Sequence, residues 1–209
     1  MSLAKRNEQR RVSEYFEQMY EAGVKPWRKH GDVPLLAEFL VLLRRSRTQQ
    51  KVLDLGCGDG WVSILAARQG FWAWGIDSSS TAIAEAVRSA KEVGVGKRTH
   101  FRVGNVLHLP YEDRFFDGFI DRGLFHHILP ENRERYLSQI RRVLKPASLG
   151  YLSVFSMQNP EGIGQRFRRS EIEDIFGKDF SFLSFVEDPF PSGAPANLLH
   201  CILERRKLR

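Results

Sequence analysis

The chain has 209 residues, of which 42% are hydrophobic and 27% charged, with a formal net charge of +7. That balance excludes disordered and fibrous classes and leaves enough chain for one domain with a sizeable core. Two cysteines, Cys57 and Cys201, suggest no disulfide framework, and the positive charge favours encounter with an anionic small molecule or RNA without naming either.

In chain order, the opening MSLAKRNEQRR lacks the apolar core of an export signal, and no later stretch is apolar for long enough to span a bilayer, so a cytoplasmic protein without a membrane anchor is expected. Helices are expected over residues 12–23 and 35–43, joined by GVKPWRKHGDVP, as a helical cap covering residues 1–48 of a single domain. KVLDL then reads as a strand that stops at a GCGDG turn, and WVSILAARQ as a helix closed by Gly70. FWAWGID is a strand, residues 79–93 a helix, THFRVGNV and FFDGFIDR strands, residues 131–144 a helix and GYLSVFS a strand. Strands alternating with helical crossovers predict a mainly parallel, doubly wound α/β sheet covered on both faces.

Beyond Ser156 the pattern changes. MQNPEGIGQRFRRS is polar, SEIEDIFG reads as a short helix capped by Ser170 with Glu173 at the boxed position, and DFSFLSFVEDPF and NLLHCILERRKL read as strands. Residues 157–197 are expected to form a substrate-side insertion that closes with the N-terminal cap as a lid, lined by Tyr20, Trp27, Phe167 and Arg168. The basic runs RFRR and RRKLR read first as solvated surface and second as phosphate contacts.

The glycines at 56, 58 and 60 follow a strand and precede a helix, where backbone amides can approach a cofactor closely. A dinucleotide fingerprint needs a third small residue at position 61, and Trp61 stands there, which makes a nicotinamide cofactor the weaker assignment. Asp77, at the tip of the second strand, is the residue type that accepts two hydrogen bonds from a ribose diol; the competing reading is a helix cap.

The ordered set VLDLGCGDG, GID, GNVLHLP, FDGFIDRGLFHHI and RRVLKPASLGYLSVF resembles the class I S-adenosylmethionine-dependent methyltransferases over about residues 50–156. Weaker similarity, in PWRKHGDVPLLAEFL, points to small-molecule enzymes of the tellurite-resistance and thiopurine type. The resemblance implies a seven-stranded sheet with a final antiparallel strand, S-adenosyl-L-methionine as cofactor and S-adenosyl-L-homocysteine as its spent form. It assigns Asp54, Gly56, Cys57 and Gly58 to the methionine part and ribose, Asp77 and Ser78 to the adenosine, and Asn105 and Val106 to the adenine. Asn105 departs from the acid frequent at that place, but its amide can both accept and donate.

By the same resemblance Asp121 and Arg122 meet the methionine end, while His126 and His127 face the cleft as candidates for a catalytic base. Adjacent histidines on a helix point about 100° apart, so they are a poor metal pair, and no metal is expected. The usual Pro-Gly-Gly-type turn is replaced by LKPASLG, and no Asn-Pro-Pro-aromatic tetrad follows the fourth strand. The resulting expectation is direct in-line methyl transfer to a small-molecule nucleophile. An RNA methyltransferase or a catalytically silent cofactor-binding module is the alternative.

Overall fold

The computed structural model describes residues 3–28, 34–44, 50–160, 162–189 and 197–206. Helix α1 (Leu3–Glu21) begins well before residue 12, because its polar first half is rich in Lys, Arg, Glu and Gln, which favour a helix without supplying any apolar period. A 3-10 turn at Pro26–Arg28 follows, then α2 (Pro34–Arg44). The parallel core is β1 (Lys51–Leu55), α3 (Trp61–Arg68), β2 (Trp72–Asp77), α4 (Ser80–Glu92), β3 (Thr99–Val103), β4 (Phe116–Arg122), α5 (Arg133–Val143) and β5 (Leu144–Phe155). It continues into α6 (Arg169–Phe176), β6 (Phe180–Pro189) and β7 (Asn197–Arg205).

These strands form one seven-stranded sheet in the order β3-β2-β1-β4-β5-β7-β6. Pairing is parallel from β3 through β5, whereas β7 runs antiparallel to both β5 and β6. The expected doubly wound sheet with an antiparallel last strand is therefore present.

Period-two alternation sorts side chains onto the two faces. Val52, Ile120, Tyr151 and Ile202 pack with Leu36, Phe39 and Leu40 of α2 and with Val62 and Ala66 of α3. Their neighbours Leu53, Phe119, Leu152 and Leu203 pack on the other face with Leu137 and Ile140 of α5 and Phe176 of α6. Each fully buried Leu or Phe contributes roughly 1.5–3 kcal/mol, so the helices are held by these stripes more than by propensity.

Three local expectations change. β3 stops at Val103, and residues 104–115 run to β4 with no helix, so Trp74, His100 and Phe115 cover that part of the sheet themselves. Trp74 stacks on His100 at 4.6 Å and meets Phe115 edge-on at 5.3 Å. LKPASLG lies inside β5, where Ala147 takes the left-handed φ of 58° that a glycine would adopt freely. Helix α6 is capped at Arg168 and not at Ser170: the Glu171 carboxylate accepts the Arg168 backbone N–H at 2.7 Å.

Candidate functional site

The β1–α3 turn is folded onto β2 by two backbone bonds, from Gly56 N–H and Cys57 N–H to the Ile76 carbonyl, 2.9 and 3.1 Å. Gly58 has φ 51°, and a Cβ there would lie 2.2 Å from the Tyr20 hydroxyl, so both conformation and space require glycine. Its N–H donates to one Asp77 carboxylate oxygen at 2.8 Å, while Ser79 N–H donates to the other at 2.9 Å. Ser79, whose hydroxyl accepts Ala82 N–H, caps α4, which frees Asp77 from that alternative. Each Asp77 oxygen keeps acceptor capacity, and the side chain lines the cleft with Ser78 beside it.

Asp54 is buried on the same side. Its carboxylate accepts the Ser63 hydroxyl at 2.7 Å, and burial pushes its pKa up to about 7, opposed by Ser63 and reinforced by Asp77 and Asp121. Arg122, at the end of β4, stacks over Trp61 at 5.1 Å. Burial lowers its pKa, while Tyr151, Asp54 and Asp59 oppose the shift, and an arginine remains cationic there. Cys57 turns its thiol towards β2, where a Cβ on Gly75 would lie 2.7 Å from its sulfur, so only its backbone side is suited to a ligand. Asn105 and Val106 line the cleft, but the Asn105 side-chain oxygen already accepts Leu107 N–H at 2.8 Å, leaving the amide NH2 as the group free to donate.

Asp121 is a correction. It is fully buried and lines no part of the cleft; its carboxylate accepts the Tyr136 hydroxyl and the N–H groups of Leu124 and Phe125, 2.8 and 3.1 Å. Burial raises its pKa to about 6 against those bonds. It shapes the turn that presents Arg122 and Gly123 to the cleft.

The opposite wall comes from α1 and the turn after β4. Gln9 clamps that turn: its amide donates to the His127 carbonyl at 3.2 Å, and its oxygen accepts Leu129 N–H at 3.2 Å and the Asn132 side chain at 3.3 Å. Glu17 reaches α4, accepting Ser80 and Thr81 hydroxyls at 2.9 Å each and Thr81 N–H at 3.3 Å. Lys25 pairs with Glu85 of α4, and Trp27 donates to the Tyr20 hydroxyl at 3.2 Å. Thus α1 is fastened at both ends and roofs the cleft between them.

His126 and His127 lie in a 3-10 turn and both line the cleft. Burial depresses both, His126 well below the ordinary imidazole range and His127 to about 4, so both are neutral near pH 7. Their Nδ1 atoms are buried without a hydrogen-bond partner among the described residues.

Tyr20 and Trp27 line the cleft, whose volume is about 840 Å³. Phe167 and Arg168 do not: Phe167 is buried against Phe125 and Arg133, and Arg168 is exposed at the start of α6. No described residue from Met157 to Pro189 lines the cleft; α6 and β6 belong to the sheet and its outer layer, and Gly164 and Gln165 only back the histidines. The expected insertion is therefore not a lid over its described length, and residues 190–196 lie outside it. The N-terminal cap over 1–48 is helical where described, whereas residues 29–33 and 45–49 lie outside the described set.

Sequence reasoning missed Gln9, Phe16, Glu17, Ser63 and Phe155. The spacing of Gln9, Ser13, Phe16 and Tyr20 on one helix face was the available signal for the roof. Nothing local pairs Ser63 with Asp54 or Gln9 with the histidine turn.

Residues 52–147 match the protein family described as a methyltransferase domain. The chain is 33% identical over 134 residues to the 2-heptyl-1-hydroxyquinolin-4(1H)-one methyltransferase of Mycobacteroides abscessus, which covers 64% of this chain and 57% of that protein. It is 31% identical over 104 residues to norajmaline N-methyltransferase of Rauvolfia serpentina, 49% of this chain and 35% of that one. The chain thus spans between a third and three-fifths of the length of these relatives. A solved structure of Burkholderia thailandensis 1,6-didemethyltoxoflavin-N1-methyltransferase with bound S-adenosylhomocysteine has the same fold, with a TM-score of 0.80 and 22% identity over 99% of this chain and 92% of that one. The family match lies on the strands that carry the glycine turn and Asp77, so residues 52–147 match a methyltransferase domain and the chain is similar in sequence and in fold to S-adenosylmethionine-dependent methyltransferases.

Proposed function

We propose that the protein methylates a small-molecule nucleophile by direct in-line displacement. The observation that carries this reading is a single cleft with Asp77 and the glycine turn on one side and a roof of α1 on the other, large enough for a cofactor and a compact second ligand. When bound, S-adenosylmethionine supplies an electrophilic methyl group. Asp77 is placed to accept the ribose hydroxyls, Asp54 to accept the ammonium, and Arg122 to pair with the carboxylate. Asn105 donates its amide to the adenine edge, and Val106 packs on the ring. Gly56, Cys57 and Gly58 let the backbone approach.

His126 and His127 complete the proposed assignment on the acceptor side. A neutral imidazole held as low as His127 is a weak base, so these residues orient the acceptor and receive a proton only from one that releases it easily. Holding the nucleophile in line and close provides most of the rate gain. The two relatives' names, each of a small-molecule methyltransferase, support this acceptor class.

RNA is the weaker partner because three arginines of the two basic runs are engaged internally. Arg166 donates to the Pro160, Gly162 and Gly164 carbonyls, Arg169 pairs with Glu173, and Arg206 donates to Gly177 and Phe180. A cytoplasmic location is supported by the two free, buried cysteines; no described helix is long and apolar enough to cross a membrane. The test is incubation with methyl-labelled cofactor and fractionated metabolites. Label in a low-mass product is expected, and label confined to RNA or protein refutes the acceptor class.

A further inference from the structure

Six aromatic rings run in an unbroken series along the cleft: Tyr20, Trp27, Phe16, His127, His126 and Phe155. Successive ring centroids are 5.5, 5.4, 4.8, 4.3 and 3.9 Å apart. All six line the cavity. They come from α1, the turn at Pro26–Arg28, the turn after β4 and the end of β5, so four separate segments converge to build one surface. The arc starts above Gly58 of the cofactor turn and ends on the sheet.

The charges of the cleft are divided. Its carboxylates, Asp54, Asp59 and Asp77, belong to the β1–α3 side and the tip of β2. Among the described side chains, no carboxylate lines the cavity from α1, from the turn after β4 or from β5, and both histidines of the arc are neutral. Arg10, at the rim of α1, is paired with Glu14 at 2.8 Å. A cation entering this compartment would lose water and meet only ring faces, with no counter-charge from the described side chains of these segments. Flat apolar rings, in contrast, offer edge and face contacts to another flat ring.

We propose that the acceptor is a planar aromatic molecule that lies against this arc and carries no positive charge when it reacts. This rests on the methyltransferase reading and adds the acceptor's chemical class. A lone pair on a ring oxygen or nitrogen, or on an atom attached to the ring, forms the new bond to the methyl carbon. The carbon–sulfur bond breaks with its electron pair left on sulfur. Any proton on the nucleophile departs to solvent or to an imidazole of the arc.

The test uses the whole chain saturated with S-adenosylhomocysteine and three probes of similar size: 2-naphthol, decahydro-2-naphthol and 2-naphthylmethylammonium. Binding of S-adenosylhomocysteine is measured first, because its absence removes the methyltransferase reading itself. With that established, 2-naphthol is expected to bind at least tenfold tighter than either other probe. Phe16→Leu and Phe155→Leu should each weaken it severalfold while leaving S-adenosylhomocysteine affinity within twofold. Equal or tighter binding of the saturated or the cationic probe, no binding of 2-naphthol, or insensitivity to both substitutions overturns the proposal and leaves the cofactor assignment standing.

Discussion

Asp77 holds two backbone N–H groups in place before any ligand arrives, so the ribose would meet an acceptor that is already oriented. Asp77→Asn keeps one oxygen and should weaken S-adenosylhomocysteine binding by about 1.5–3 kcal/mol, the range of a hydrogen bond to a charged group. Unchanged affinity by calorimetry in a folded variant refutes the assignment. Asp54 makes a pH prediction. Its folded pKa of about 7 lies above its ordinary 3.8, so the empty folded protein holds more protons than the unfolded chain between those values. Its contribution to stability is therefore present below the lower value and lost as pH rises through the upper one. On the proposed pairing of Asp54 with the cofactor ammonium, cofactor affinity should rise between about pH 6 and about pH 8, and Asp54→Asn should flatten that slope. His127 has the opposite sign: its folded pKa is depressed to about 4, so its contribution is present above the ordinary 6.5 and lost as pH falls through the lower value. Ala147, at φ 58°, holds a backbone conformation that disfavours a side chain, so Ala147→Gly should stabilise the protein by about 1 kcal/mol in urea unfolding.

Helix α1 is fastened across the cleft by polar contacts beside the ring contacts of Phe16 and Tyr20. Glu17 meets the first turn of α4, where a carboxylate is favoured by the unpaired N–H groups and the helix dipole, and where its hydrogen bonds lower its pKa against the effect of burial. Glu17→Ala removes an acceptor from three donors and should loosen the roof. Faster proteolytic cleavage within residues 3–21, with the sheet core intact, is the expected readout; cleavage at the parental rate refutes the latch. Deleting residues 1–29 removes Phe16, Tyr20 and Trp27 but leaves Gly56, Asp77 and Asn105. Turnover should collapse while part of the cofactor affinity survives, and normal turnover would show that the roof is dispensable.

At the scale of the whole molecule, one sheet edge gathers the cleft residues because the strands that carry them end on the same side. Gly56 follows β1, Asp77 ends β2, and Arg122 ends β4, in the parallel register that sets Leu55 beside both Ile76 and Asp121. A parallel open sheet places its ligand cleft outside the carboxyl ends of its strands. Where residues 104–115 supply no helix, the Trp74, His100 and Phe115 rings shield the sheet, with the Lys51 ammonium 3.7 Å above Phe115. Trp74→Ala should cost about 2–3 kcal/mol, less than a fully buried tryptophan because this one is only partly buried. An unfolding midpoint matching the parent would show that these rings do not protect the core.

The alternation of KVLDL, GCGDG and WVSILAARQ, repeated through GYLSVFS, was enough to determine the parallel sheet, the glycine turn and the acid at the tip of β2, because strand period, turn chemistry and helix period are local properties of the chain. Motif order carried the resemblance to methyltransferases, and residues 52–147 match that domain. What lies between distant segments needed the tertiary structure. Asp121 stands in the expected motif, yet Tyr136, fifteen positions further on, claims its carboxylate inside the core. Phe167 and Arg168 were placed on a lid by their position after the last parallel strand, but α6 and β6 have an apolar face to bury against the core, which buries Phe167 and leaves Arg168 exposed at the start of α6. Gln9 binds the histidine turn across 118 positions, and the aromatic arc joins four segments whose individual rings read as ordinary packing. Such contacts are set by how helices and strands close around one core, and sequence periodicity carries no signal for which partners meet.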